Sequence, residues 1–354
     1  APEVTAKLDQ NGSGGNTTVN NPPAVGSLIA LPYGQNAPAG YSLYQRGEPK
    51  TLVWEEVGEV TSDLNISLSV CSTIENEIFI TRGHPPSNQI SRFNPASNHV
   101  VSNSAMQTAR WISSTVNFNN KFYVIGGNDG NNNLSSVEIY NPNTNQWSFG
   151  PALPTADRGG ASIVFNNELY YFSGIAGTGI YKLDEQSNSW AFEANTTSIK
   201  WLFELVVYEN KIWYVGGRSS AGGNPYLNEV EIYDPNAKTF SSTSSMIEKR
   251  GGAGTFSTWV ANDMIYVAGG GDGLKSHFSI EVYDPHKLSW ALVGNLPTKE
   301  GLVEIAGNNV YCIKGELPDE NATDYFYRAN LEVFDLYRKD GNASAGTPVV
   351  QAEV

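Results

Sequence analysis

Short apolar runs that close on glycine recur along the chain: "IFITRG", "FYVIGG", "LYYFSG", "IWYVGG", "IYVAGG" and "VYCIKG". A similar run precedes each, as in "GGASIVF" (159–165), with turns such as "NFNNK", "FNNE" and "YENK" between the two. Beyond the glycines come a loop, an alternating run such as "SVEIY", and a polar turn that ends on an aromatic residue. That turn is "YNPNTNQW" at Trp147, "KLDEQSNSW" at Trp190, "YDPNAKTF" at Phe240 and "YDPHKLSW" at Trp290, with a weaker copy, "FNPASNHV", at Val100. The ends lie 47, 43, 50 and 50 residues apart. Period-two alternation between Asn/Asp/Gly turns predicts β-strands rather than helices. Each unit therefore reads as four strands, a to d, and the repeat of the unit predicts a closed or radial all-β architecture.

A diglycine after strand b, a Tyr on strand c and a Trp on strand d resemble the signature of the kelch family. The resemblance covers roughly residues 51–341 and implies a six-bladed β-propeller with one sheet per repeat. It departs locally. Arg82, Ser173 and Lys314 stand where the first glycine is expected, and Phe240 replaces a Trp. No Trp follows "LEVFDLYRKDG" in the sixth copy, while "TLVWEEVGEV" stands alone before the first. Trp54 is therefore expected to supply the missing Trp, with the N-terminal strand closing the last blade. Closure would remove the exposed edges of an open sheet.

Outside the repeats, residues 1–24 are rich in Gly, Asn and Thr and read as a flexible linker. Residues 25–50 hold Ala-Pro-Ala-Gly beside tyrosines and resemble the phage tail-collar motif, which suggests a small β appendage. Residues 342–354 read as a disordered tail.

The chain has 354 residues, 40% hydrophobic, with 35 Gly and 18 Pro, and a formal net charge of −14. That charge disfavours nucleic-acid binding, and no apolar stretch is long enough to span a membrane. Cys71 and Cys312 are too few for a disulfide framework or a four-ligand zinc site and are expected as free thiols. Asn-x-Ser/Thr sites occur at Asn16, Asn65, Asn133, Asn195, Asn321 and Asn342. The four histidines are scattered, and no P-loop or Gly-x-Ser-x-Gly elbow occurs. Neither a metal nor a cofactor is expected.

Strand order puts the a–b and c–d turns on one face and the b–c and d–a connections on the other. The b–c loops are long and varied, "NDGNNNLSS", "RSSAGGNPYLN", "GDGLKSHFS" and "ELPDENATDYFYRAN", so binding is expected on their face. Five strands a begin with a basic residue on that face: Arg110, Arg158, Lys200, Arg250 and Lys299. The family resemblance implies that strand a is innermost, so these would ring the channel mouth. With Trp111, Trp201, Tyr325 and Tyr327 they form the candidate ligand site. The alternative is that the cations tie strands together through backbone carbonyls and the two Trp pack between blades. Glu204 and Glu304 lie within inner strands, where unpaired carboxylates are unusual. They read as channel-facing partners of the cations or as acid/base groups.

The leading expectation is a non-catalytic module that binds a glycan or protein on the b–c face through aromatics such as Tyr226, Tyr325, Phe326 and Tyr327, secreted or cell-surface, within a larger tethered assembly. The alternative is an epimerase resembling the kelch-type sialic acid mutarotases, with the cations seating a carboxylate and Glu204 or Glu304 moving protons.

Overall fold

The structure, a computed structural model, describes residues 68–261, 264–298 and 301–313, together with 3–7, 17–20, 28–32, 41–46, 52, 54–60, 324–330, 333–338 and 350–353. The chain forms two compact units. The larger is a propeller of six four-stranded antiparallel sheets. Strands a to d of the first blade are Cys71–Ile74, Glu77–Thr81, Ile90–Asn94 and His99–Ser102. The second holds Ser114–Phe118, Lys121–Ile125, Val137–Asn141 and Gln146–Phe149, and the third Ala161–Phe165, Glu168–Phe172, Gly179–Asp184 and Ser189–Asn195. Glu204–Tyr208, Lys211–Val215, Val230–Asp234 and Thr239–Ser242 build the fourth, and Gly251–Ala261, Met264–Gly271, Ser279–Asp284 and Ser289–Asn295 the fifth. Among the described residues there is no helix, and none is therefore long and apolar enough to cross a membrane.

The last blade is built from both ends of the propeller sequence. Its order is Leu302–Ala306, Asn309–Ile313, Asp324–Asn330, then Glu55–Val60. Trp54 takes the role expected of it. Its indole N–H donates to Asn295 O at 3.0 Å, on strand d of the preceding blade. Trp147, Trp190 and Trp290 donate in the same way to Ser104 O, Pro151 O and Ser244 O, each just past strand d of the preceding blade. The signature Trp thus packs its ring between blades while its polar edge is satisfied by a neighbour's backbone.

Strand c of the last blade differs from the expected one. Residues 324–330, read from sequence as the end of a loop, form the strand, pairing Arg328 with Glu55 and Tyr327 with Glu56. Val333–Arg338, the expected strand, lies in the sheet of the smaller unit. Both runs alternate apolar and polar residues, so periodicity alone did not separate them. That smaller sheet has six strands in the order Thr17–Asn20, Glu3–Lys7, Val350–Glu353, Val333–Arg338, Tyr41–Arg46, Leu28–Pro32.

The propeller core lies between successive blades. Phe79 of the first blade meets Phe122 and Tyr140 of the second, and Phe172 of the third meets Tyr214 and Tyr233 of the fourth. The diglycines end strand b with positive φ, +62° at Gly126 and +102° at Gly127. A Cβ on Gly126 would stand 2.8 Å from Asp157 O, and the N–H of Gly127 donates to that same carbonyl at 2.9 Å. Only glycine combines this conformation with so close a neighbour. Gly126→Ala is expected to lose about 1–3 kcal/mol, read from the midpoint of chemical denaturation.

Candidate functional site

The basic residues at the starts of the strands a are largely internal ties. Arg110 is fully buried and donates to Gly126 O, Ser136 O and Ser136 Oγ, and to Glu138 Oε1 at 2.6 Å. Arg250 is fully buried and repeats the pattern with Gly269 O, Ser279 and Glu281. Lys200, 2% exposed, meets Glu231 at 2.5 Å. The acceptors Glu138, Glu231 and Glu281 hold the same place on strand c, in "SVEIY", "EVEIY" and "SIEVY". Glu138 also accepts the Gln107 and Thr108 N–H groups, and Glu281 those of Ile247 and Glu248. One carboxylate therefore fastens the incoming d–a connection and the buried cation together.

The third blade exchanges the whole set. Strand c carries Tyr181 where the second, fourth and fifth blades have Glu, and the register puts Asp157, not Arg158, at the place of Arg110. Asp157 is buried and accepts from Tyr171 Oη and from the N–H groups of Gly174 and Ala176. Burial raises its pKa, and these donors work against that rise. The same register puts Thr298 at this place in the sixth blade. Lys299 lies outside the described residues.

Arg158 is shifted by one position and shares the place of Trp111 and Trp201 on the neighbouring blades. It is half-buried and, among the described residues, has no carboxylate within 4.0 Å. In the first four blades the next residue adopts positive φ: Leu68 (+59°), Ile112 (+50°), Gly159 (+68°) and Leu202 (+57°). This left-handed turn aims backbone groups sideways into a belt around the channel. Gly159 N donates to Ile112 O, Leu202 N to Gly159 O and Gly252 N to Leu202 O, at 2.8–3.1 Å. Ile112 and Leu202 pack together at the mouth, joined by Leu68, Trp111 and Trp201. A β-branched residue at positive φ is rare, and sequence gives no sign of it.

Two aromatic stations stand on the b–c face. Trp111 donates to Asn128 Oδ1 at 3.1 Å and packs against His84 at 4.6 Å. Trp201 lies under the Arg218 guanidinium at 5.2 Å, and Arg218 also covers Tyr226 at 5.1 Å. Tyr226 reaches the fifth-blade loop, where a Cβ on Gly273 would meet it at 2.9 Å. Next along that loop is Leu274, 96% exposed, and Lys275 links it to Glu248 beside the exposed Ile247. Sequence reasoning named Trp201 and Tyr226 but missed Arg218, Leu274 and Ile247 as their partners. Tyr325 and Tyr327 stand on strand c of the last blade and not in a loop; Tyr327 is half-buried, and the Tyr325 side chain lies outside the described residues.

Inside the belt the strands a enclose a cavity of about 180 Å³ that contains both Glu204 and Glu304 in its wall. Glu304 accepts from Thr73 Oγ1 at 3.0 Å and Cys71 Sγ at 3.4 Å. Burial raises its pKa, and those two donors oppose the rise. Burial, reinforced by the charge of Glu304, pushes Glu204 up to about 8. Cys71 is held well above the ordinary thiol range by burial and by Glu304. Both cysteines are free. Among the described residues the cavity wall includes no Lys, Arg or His. Of the cations expected to flank the two carboxyl groups, Arg110, Lys200 and Arg250 are instead engaged with strand-c glutamates.

Residues 114–317 match the family described as the KLHDC2/KLHL20/DRC7 Kelch-repeats domain. The chain is similar to Kelch-like protein 24 of Rattus norvegicus, 33% identical over 276 residues, covering 75% of this chain and 44% of the relative. It is 33% identical over 113 residues to Kelch-like protein 23 of Mus musculus, covering 31% of this chain and 18% of that protein. It thus spans less than half of these curated relatives. The solved structure of YjhT superposes with a TM-score of 0.62 at 15% identity, covering 79% of this chain and 96% of that one, a likeness of fold alone.

Proposed function

The chain belongs to the kelch-repeat β-propeller family, and on that premise we propose that it is a protein-recognition module whose docking surface is the b–c rim of the fourth and fifth blades. One observation carries the reading. Trp201, Arg218 and Tyr226 stack in turn on a face of long loops, Tyr226 reaches Gly273 beside the exposed Leu274, and Ile247 of the same blade is exposed as well. Trp, Tyr and Arg supply most of the affinity at protein interfaces because they bring large area with few rotors. A Leu exposed to 96% stabilises nothing in the free protein, so a partner would gain its burial. Kelch propellers typically serve protein interaction, and the rim fits that use.

The test is selection of ligands from displayed random peptides, followed by affinity measurement on variants. Leu274→Asp with Tyr226→Ser is expected to weaken the selected ligand at least tenfold, about 1.4 kcal/mol. Asn166→Asp, in an exposed a–b turn, is expected to leave it unchanged. Equal affinity in the rim variant would remove the rim from the reading. A glycan array run alongside decides the class. Binding of a glycan alone, lost in Trp201→Ala, would make the ligand a carbohydrate.

A further inference from the structure

The channel cavity plays no part in rim docking, and its chemistry is unlike that of a packed core. Glu304 is fixed by Thr73 and Cys71. Glu204, on the fourth blade, lines the same cavity and accepts no hydrogen bond from the described residues. A carboxyl group in such a cavity with no hydrogen-bond donor among the described residues is costly to retain ionised, and here it faces open space. The remaining wall contributes aromatic surface from Phe203, Phe256 and Trp259. Among the described residues no cationic side chain lines the space.

Two carboxyl groups, aromatic faces and no positive charge are the complement of an organic cation. A divalent metal is a poorer match, because it asks for more oxygen ligands, and the described residues hold no cluster of three or more His, Cys, Asp or Glu. The volume of about 180 Å³ holds several non-hydrogen atoms. We propose that the channel binds a small organic ammonium ion between the Glu204 and Glu304 carboxyl groups, its apolar body against the aromatic wall.

Isothermal titration calorimetry of the full chain at pH 9, where Glu204 is ionised, tests this with n-propylammonium chloride as the probe, and with 1-propanol, sodium chloride and calcium chloride as comparisons. The expected result is one propylammonium per chain and no binding of propanol. Glu204→Gln, which gives up no protein hydrogen bond, and Glu304→Gln are each expected to weaken the probe at least tenfold. Nα-acetyl-lysinamide, run alongside, assigns the site to a lysine tip if it binds more tightly and to a free amine if it does not. Three results would overturn the proposal: no heat beyond that of sodium chloride, which means a cavity of water alone; tighter binding of calcium; or undiminished binding in Glu204→Gln.

Discussion

Glu204→Gln is expected to make the protein more stable at pH 8 and to leave it unchanged at pH 4. Burial and the neighbouring Glu304 raise the Glu204 pKa from an ordinary 4.5 to about 8. Below pH 4.5 the carboxyl group is protonated in both the folded and unfolded chain, so it costs nothing. Between those values the folded protein binds the proton and the unfolded chain does not, so stability falls as pH rises. Above pH 8 both states are ionised and the full penalty applies. A shift of this size is worth about 3–5 kcal/mol, the lower end applying where cavity water screens the charge. Glutamine cannot ionise and escapes the penalty. The measurement is the difference in unfolding free energy between variant and wild type from pH 4 to pH 9. It should rise from near zero to about 3 kcal/mol, and a flat difference would mean that Glu204 is not enclosed. The two carboxyl groups titrate as a pair, so the rise should be broader than that of a single site.

The second large effect concerns the buried ties. Glu138→Ala leaves the Arg110 guanidinium fully buried without its carboxylate, and the Gln107 and Thr108 N–H groups without an acceptor. Losing one partner of a buried ion pair costs about 3–5 kcal/mol, because the remaining charge stays uncompensated. Arg110→Met should cost a similar amount. The double variant should lose clearly less than the two together, with a coupling of about 2 kcal/mol in a double-mutant cycle. Arg158→Ala, which breaks no ion pair among the described residues, should change stability by less than about 0.5 kcal/mol. Equal losses for Arg110 and Arg158 would contradict the division between the buried, ion-paired tie and the half-buried Arg158.

The repeat was the legible part of this protein. Glycine, Tyr and Trp are constrained by backbone conformation and inter-blade packing, and so they recur in the sequence. Even the closing strand could be read, because the missing Trp of the last blade left a vacancy that Trp54 fills. The role of the basic residues was half legible. Their partners were in view as the Glu of "VEIY", and the third blade offered the check: it lacks that Glu and has Asp157 in place of a cation. Reading Arg158 as equivalent to Arg110 hid the exchange, since a shift of one residue turns a buried tie into a surface group. The rim was legible only as a face and two of its aromatics, Trp201 and Tyr226. It joins Trp201, Arg218, Tyr226 and Leu274 from loops of two blades, and loops have no periodicity to follow.

Rim recognition is tested most directly by photo-crosslinking. Benzoylphenylalanine is placed at position 274 in one preparation and at position 166 in another, each mixed with the same selected peptide ligand. The account predicts a crosslink from position 274 that unlabelled ligand abolishes, and none from position 166. A crosslink from 166, or its absence at 274 with a ligand that still binds, would contradict it.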